Sequence, residues 1–450
     1  MAVFSELMLA ESLQRLTAKT HFLIAYSGGL DSHVLLHSLA NLKQQMPFMQ
    51  LRAIHINHGL SHNALHWQQH CQHVCRELEV DIIVENIGLE LHQAIAKGQS
   101  ESLESLARDY RYQAMAQHLQ SHEALLTAHT QNDQVETVLM RLFRGGGVKG
   151  LAAMRAVRPF ATTELIRPFL TVSRDALELY AQKCQLNWVE DESNVNPRFD
   201  RNYIRQQLLP SLKQRWPQLV NNVCRTAKHM ATADHLLSQL AEQDLARLKG
   251  SVDQTLAVSK LMLLDRDRCM NALRKWLQLR QLPLPSTVKL NQVLSDVLHC
   301  RSDANPLVSW RNGEIRRYRD NLYAMPPLIP HDTGLVIVWN LSQDLTLPNG
   351  LGQLTAQQLQ AAGIELENNL PVTVRFRQGG ERCRFPGQLH SQSLKKLLQQ
   401  WQVPPWLRDR LPLIYVGDQL VWVVTMPHLG VDSRFRGDDA IAIHPTSSEE

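Results

Sequence analysis

The stretch HFLIAYSGGLDSHVLLHSLA, His21 to Ala40, decides how the chain is read. Leu23 to Tyr26 form a short apolar run of strand length. The sequence then turns polar and glycine-rich, and Val34, Leu35, Ser38 and Leu39 repeat with helical period. Gly28 and Gly29 let the backbone turn sharply and bring its N–H groups close to a ligand, while a helix starting at Asp31 or Ser32 points its positive end at the same place. The loop is therefore an anion cradle. A plain turn with Asp31 or Ser32 as N-cap is the blander reading, and six residues in the right strand-loop-helix context weigh against it. The loop lacks the Gly-Lys-Ser/Thr ending of a Walker A sequence, so no lysine reaches for a γ-phosphate.

Outward from this loop, HFLIAY, LRAIHIN, DIIVENI and ALLTAH are short runs rich in Ile, Val and Leu, separated by helical stretches such as Leu65 to Leu78 and Ser102 to Leu119. Strands alternating with helices predict an α/β domain over residues 1–215, built on a doubly wound, mostly parallel sheet. Ligands of such sheets sit beyond the carboxyl ends of the strands. Residues 216–328 read as a mostly helical domain, with helices over Leu219–Leu248 and Leu261–Leu279. It closes on a hairpin, LVSWRNGEIRRYRDNLYAM, with Asn312-Gly313 as its turn. After the Pro-rich linker MPPLIPHD, residues 329–430 predict a small mixed α/β domain, and the polar residues 431–450 read as a disordered tail.

Composition bounds the class. The 450 residues are 20% charged and 44% hydrophobic, as in an ordinary soluble protein. No signal-peptide core and no membrane-length apolar run is present, which predicts a cytoplasmic address. The seven cysteines are scattered and never form a C-x-x-C pair, against disulfide scaffolds and thiolate metal sites. The net charge of +4 says little, but its distribution says more. From Pro371 to Leu411, Arg375, Arg377, Arg382, Arg384, Lys395, Lys396, Arg408 and Arg410 face only Glu381 and Asp409, with Phe376, Phe385, Trp401 and Trp406 interleaved. Phosphates reward cations and unstacked bases reward flat side chains, so this segment suits a nucleic acid. A solvated basic face over core tryptophans is the equal alternative.

Two further motifs begin where strands end. AIHINHGLSH carries His55, His58 and Gly59. His58, His62, His66 and His70 recur every fourth residue, but no carboxylate or thiolate completes a metal set, and His58 belongs to a loop. The better reading puts His55 and His58 near a nucleotide. TAHTQNDQVETVLMRLFRGGGVKGL predicts a helix from about Thr130 whose polar side carries Asp133 and Glu136, three apart and neighbours on one face. A capping box from Thr130 accounts for Asp133 and leaves Glu136 free. The pair suits magnesium or the ammonium group of an amine substrate. Gly145 to Gly147, between Arg144 and Lys149, supply a flexible basic loop.

The SGGLDS loop resembles the PP-loop of the N-type ATP pyrophosphatases, the adenine nucleotide alpha hydrolase-like fold whose members split ATP between its α and β phosphates. Together with HINHGL, ESLARDYRY (Arg108, Arg111), AHTQNDQVET, FRGGGVKGL, IRPFL (Arg167, Pro168), EDESNVNPRFDRNYIR, EIRRYRDNLY and the basic segment above, it makes the chain similar to the tRNA(Ile)-lysidine synthases up to about Met426. That family ligates free L-lysine to C2 of the wobble cytidine of a CAU anticodon, activating the carbonyl oxygen with AMP from ATP. The resemblance implies that Ser27, Gly28, Gly29 and Ser32 hold pyrophosphate, that Asp31 binds Mg2+, and that Ala25, Leu30, His55, His58, Gly59 and His129 meet the nucleotide. It further implies that Asp133, Glu136 and Arg108 serve lysine and the reaction centre, and that Arg201 and Arg205 contact tRNA or the activated cytidine. Arg375, Arg377, Arg382, Lys395, Lys396 and Trp401 would bind tRNA. Thr130 and Asn132 stand where many members carry His and Asp. The oligomeric state stays open, a homodimer included. A tRNA thiolase would need a catalytic cysteine pair, which Cys71 and Cys75 do not resemble, and intact loop residues argue against a merely RNA-binding relic.

Overall fold

The computed structural model describes residues 4–59, 61–89, 103–190, 192, 200–301, 304–361, 370–383 and 391–424. Arg384, Phe385, part of EDESNVNPRFDRNYIR and the tail after Gly430 lie outside them. The chain divides into two compact units, Met1–Leu236 and Leu237–Glu450.

The first unit is organised by a six-stranded sheet of β1 (His21–Ala25), β2 (Gln50–Asn57), β3 (Asp81–Asn86), β4 (Glu123–Leu126), β5 (Val157–Phe160) and β6 (Thr163–Ile166), in the order β3-β2-β1-β4-β6-β5. Neighbours pair in parallel except for the β5–β6 hairpin. The chain steps one way from β1 to β3 and then returns to place β4 on the other side of β1, so the strand order reverses beside β1. The connections leaving β1 and β4 diverge there and open a crevice at the carboxyl ends, the place where such sheets bind ligands.

Helices α1 (Glu6–Leu16), α2 (Leu30–Gln45), α3 (Ala64–Glu77), α4 (Leu103–His118), α5 (Gln131–Phe143) and α6 (Arg174–Lys183) complete the layers. On one face, Val34, Leu35, Leu36 and Leu39 of α2 pack with Leu9 and Leu13 of α1, Leu177 and Ala181 of α6, and Phe22 and Ile24 of β1. On the other, Leu23, Ile54 and Leu125 pack with Ala114 and Met115 of α4. Leu23 and Ile24 go to opposite sides because successive strand residues alternate. α2 is buried on nearly every side, its polar Ser32, His33 and Ser38 included. α3 starts at Ala64, so His58 and His62 precede the helix and the four-residue repeat is not a ladder on one face.

In the second unit the helix expected to start at Leu261 is interrupted. Val258–Leu261 is one short turn, and the main helix Arg266–Leu279 starts only after Asp265, whose side chain accepts a hydrogen bond from Arg268 N at 2.9 Å. An aspartate so placed is a favourable N-cap for the helix that follows. The hairpin forms as strands Leu307–Trp310, Gly313–Tyr318 and Asn321–Met325, but its first turn is Arg311-Asn312. Asn312 takes the left-handed conformation (φ +60°), and Gly313 pairs with Trp310 in the strand, where a Cβ would meet the Trp310 ring at 2.4 Å. Strands Ile337–Trp339, Val372–Arg375, Leu413–Val416 and Gln419–Val423 form a separate antiparallel sheet. Among the described residues no helix is long and apolar enough to cross a membrane.

Candidate active site

A cavity of about 630 Å³ lies in the first unit, walled by residues that follow or end β1, β2 and β4 and by α4. Ala25, Ser27, Asp31 and Ser32 contribute from the glycine loop, His58 from the β2 end and His129 and Asp133 from the β4 end. Arg108 comes from α4, and Arg201 and Arg205 from the segment after residue 200. Ten of the positions singled out in the sequence therefore share one space.

The loop is braced by its own serines. Ser32 Oγ donates to Gly29 O at 2.9 Å, lies 3.0 Å from Ser27 Oγ and accepts from Ser27 N at 3.3 Å. α2 begins behind Gly29, which has no side chain to cap it, so the first amides of the helix are left for a ligand. The two glycines differ. Gly28 sits at φ +84°, its carbonyl accepts from Val189 N at 3.0 Å, and a Cβ there would stand 2.8 Å from Val189 Cγ2 and 2.9 Å from Cys71 Sγ. Gly29 has an ordinary φ, and its nearest neighbour would be Ser27 Oγ at 3.5 Å. Gly28→Ala is accordingly expected to cost about 1–3 kcal/mol of stability, whereas Gly29→Ala stays within roughly 0.5 kcal/mol. Urea denaturation of the two variants checks this, and equal losses would mean the loop is not pinned at Gly28.

Asp31 lies in the first turn of α2. Its Oδ1 is buried and has no hydrogen-bond partner among the described residues. Burial pushes the carboxyl up to about 6, against the opposing pull of Arg174. A desolvated carboxylate oxygen without a donor, beside two serine hydroxyls, is the donor set of a hard cation, so the residues fit magnesium.

His55 does not face the cavity. Ile54 and Ile56 do, and alternation sends the imidazole to the other side of β2, where Nδ1 lies 3.0 Å from the Tyr26 carbonyl. Burial holds it neutral, its pKa lowered. His55 thus positions the end of β1, and His58 is the histidine of this motif that lines the cavity. Gly59 (φ +64°) shapes the turn beside Gly88. His129 lies 2.9 Å through Nδ1 from Thr127 Oγ1, and burial, aided by nearby arginines, depresses its pKa.

The expectation that Glu136 is free is corrected. The capping box forms, Asp133 Oδ2 accepting from Thr130 N at 2.8 Å and from Thr130 Oγ1 at 2.9 Å. Glu136, fully buried, accepts from Arg201 Nε and Arg205 Nε, each at 2.6 Å. Asp133 Oδ1 is 2.8 Å from Arg201 and 3.3 Å from Arg205. Burial alone would raise the Asp133 carboxyl, but Arg201, His129 and the cap hold it below the ordinary value. Asn132 Oδ1 accepts from Arg174 N at 3.3 Å, so Thr130 and Asn132 both bind within the fold.

Sequence reasoning passed over Tyr112, which lines the cavity with the guanidiniums of Arg108 and Arg158 at 5.2 and 5.3 Å from its ring centre. The signal was present: Arg108 and Tyr112 are four apart on α4 and share a face.

In the second unit, Lys395 and Lys396 are exposed on the helix Leu394–Gln400, whose Leu394, Leu397 and Leu398 face the core, and Arg382 is exposed on its neighbouring strand. Arg377 is tied to Asp409 at 2.7 Å, and Arg375 stacks on Tyr415 at 4.5 Å. Phe376 is core, Trp406 packs among Tyr318, Tyr323 and Arg316, and Trp401 is half-buried. Of the interleaved aromatics described here, none stands fully exposed for a base.

Comparison with known proteins bears on the whole length. The PP-loop domain family matches residues 4–212, the TilS substrate binding domain residues 256–323 and the TilS substrate C-terminal domain residues 372–443. The tRNA(Ile)-lysidine synthase of Coxiella burnetii is 45% identical over 423 residues, covering 94% of this chain and 92% of the relative. Those of Serratia proteamaculans (39% over 412 residues; 92% of each chain) and Legionella pneumophila (37% over 425 residues; 94% and 95%) are similar over the same extent.

Proposed function

The chain belongs to the tRNA(Ile)-lysidine synthase family, and from that premise we propose how its residues divide the work of making lysidine. The enzyme uses ATP and acts on tRNA(Ile). In the proposed reaction free L-lysine attacks C2 of the wobble cytidine of the CAU anticodon. A carbonyl oxygen is a poor leaving group, and ATP supplies the adenylyl group with which it departs as AMP.

Ser27, Gly28, Gly29, Leu30 and Ser32 hold the pyrophosphate through loop amides, hydroxyls and the start of α2. Asp31 binds Mg2+, which when bound offsets the phosphate charge. Ala25, His58 and neutral His129 border the nucleoside. Arg201 and Arg205 face the activated cytidine and its phosphate, held in place by Glu136. Asp133 and Glu136 moderate that positive wall enough to admit an amine, with Arg108 beside the reaction centre. The observation that carries this reading is the convergence of the glycine loop and the Asp133–Glu136–Arg201–Arg205 group on one cavity at the point where the strand order reverses. Cys71 and Cys75 are buried, with thiols pushed up to about 12, so they do not supply the nucleophilic pair of a thiolase.

The test is incubation with labelled ATP, labelled lysine and tRNA. Lysine is expected to become covalently attached to the RNA with stoichiometric AMP and pyrophosphate, and ATP cleavage without lysine transfer would contradict the proposal. For the second unit, replacing Lys395 and Lys396 together with alanine is expected to weaken tRNA binding and reduce its log–log salt slope by about 1.5. Unchanged affinity and slope would remove this helix from the RNA-binding surface.

A further inference from the structure

The stretch FRGGGVKGL, Phe143 to Leu151, lines no part of the cavity. α5 carries Val135 and Val138 into the core, but its last turn runs clear of it: Leu142 is 53% and Phe143 64% exposed. Unlike the aromatics of the second unit's basic segment, this ring presents its face to solvent.

Hydrogen bonds fix the loop that follows the ring. Gly145 N donates to Leu142 O at 2.9 Å and Gly146 N to Arg141 O at 2.7 Å, and a Cβ at Gly146 would stand 2.7 Å from that same carbonyl oxygen. The chain turns back tightly enough that a Cβ at Gly150, in the short turn Val148–Leu151, would lie 3.9 Å from Arg141 Cβ. Arg141, Arg144 and Lys149, all exposed, are thereby gathered about the end of the helix that carries Phe143. Arg144 pairs with Asp200 at 3.2 Å, with both side chains largely exposed, and such a surface pair leaves the guanidinium open to a stronger partner. Arg141 and Lys149 form no ion pair among the described residues.

The position of the ring follows from helix geometry. Phe143 comes seven residues after Glu136, which on an α-helix is two turns: the same side, about 10 Å further along the axis. On that side Arg201 and Arg205 meet Glu136, and Asp200, next to Arg201, reaches Arg144. The exposed ring and the guanidiniums that line the cavity therefore lie along one edge of the first unit.

Resting on the functional reading above, we propose that Phe143 is a stacking platform for an unpaired base of the anticodon loop next to the reacting cytidine, with Arg141, Arg144 and Lys149 on the adjoining phosphates. A flat ring among cations suits a single strand, whose unstacked bases have free faces and whose phosphates attract the charge, whereas a duplex hides its bases. Two apolar side chains are too small a face for a stable protein partner, and a second copy docked through this patch would meet its own cations across the two-fold axis. Holding the neighbouring base out of the stack frees the wobble cytidine to enter the cavity, and it favours a cytidine in a loop over one in a stem.

The experiment measures tRNA binding and lysine transfer for the full-length parent, Phe143→Ala, Phe143→Leu and Phe143→Trp, with tRNA(Ile) either intact or carrying an abasic residue at one of the two positions flanking the wobble cytidine. Phe143→Ala should weaken binding and raise KM for tRNA roughly tenfold, the loss of one base stack, with kcat and the salt slope nearly unchanged. Phe143→Leu, which keeps apolar bulk without a flat face, should lose nearly as much, and Phe143→Trp should bind at least as well as the parent. One of the abasic tRNAs should bind the parent roughly tenfold more weakly than intact tRNA does, yet bind Phe143→Ala no more weakly than intact tRNA does. Arg141→Gln with Lys149→Gln should lower the log–log salt slope by about 1.4. The proposal is overturned if Phe143→Leu binds like the parent or if neither abasic position is coupled to Phe143. It is equally overturned if Phe143→Ala changes the sedimenting mass of the protein but not its RNA affinity, which would make the patch a contact between copies. Coupling in binding without lysine transfer by the parent would refute the functional reading and leave the platform standing; a parent that binds no tRNA would remove both.

Discussion

Asp31→Asn is expected to yield a protein that is more stable than its parent and nearly inactive. Stability follows from linkage. The folded-state carboxyl is raised to about 6 by burial, so the folded protein binds this proton more tightly than the unfolded chain does. Native stability therefore falls as pH climbs from about 4 through 6, and the cost is fully present above that. Asparagine removes the charge while keeping the shape, which should return about 1–3 kcal/mol at pH 7.5 and nearly nothing at pH 4. Activity moves the other way. A neutral amide cannot offset the charge of a bound cation, so lysidine formation should drop by roughly three orders of magnitude, the scale of several kcal/mol of lost electrostatic stabilisation. Affinity for tRNA should stay within about twofold, since Asp31 repels rather than attracts phosphate. Thermal denaturation at the two pH values and single-turnover assays read both arms. A variant retaining a tenth of the activity, or no more stable at pH 7.5 than its parent, would remove Asp31 from the metal-binding role.

Which features were legible depends on how local their causes are. The strand-loop-helix unit at His21–Gln45 is written in consecutive residues, and the parallel sheet follows from apolar runs separated by helices. The termini of β1 to β3 accordingly fall within one residue of their sequence signals, while β4 starts one residue before ALLTAH and ends three residues short of its end. The Thr130–Asp133 cap was visible for the same reason. Glu136 was misread because its partners, Arg201 and Arg205, are 65 and 69 residues away, and no local pattern says which buried charge meets which. His55 was placed toward the nucleotide because strand alternation fixes that neighbours differ but not which face meets the cavity. Composition could not separate nucleobase platforms from core aromatics: Phe376 proved to be core, and Trp406 is half-buried, packed edge-on against Tyr318 and Tyr323. Tyr112 was hidden because a tyrosine on an amphipathic helix looks like packing until Arg158 arrives from an edge strand.

Glu136→Gln should be the most destabilising single change at this site. On α5, positions 133 and 136 are three apart and share a face. Arg201 and Arg205 are four apart along the neighbouring helical segment, so two guanidiniums meet two carboxylates in one layer. Ile204–Leu208 is wound as a π-helix, a local irregularity of the kind found at functional sites. Glutamine in place of Glu136 would turn an amide toward guanidiniums that already crowd each other and leave Asp133 as the carboxylate that still pairs with both. Breaking a buried pair from one side costs about 3–5 kcal/mol, because the abandoned charge stays desolvated. Removing Arg205 as well, in Glu136→Gln with Arg205→Gln, should recover part of that loss. Urea unfolding of the two variants and of Arg205→Gln alone measures the coupling. If Glu136→Gln costs less than about 1 kcal/mol, the arginines are solvated, and a rigid cationic wall can no longer be assigned to this face of the cavity. If the loss is large but lysidine formation per folded molecule is unchanged, the four residues hold the fold together without serving the reaction.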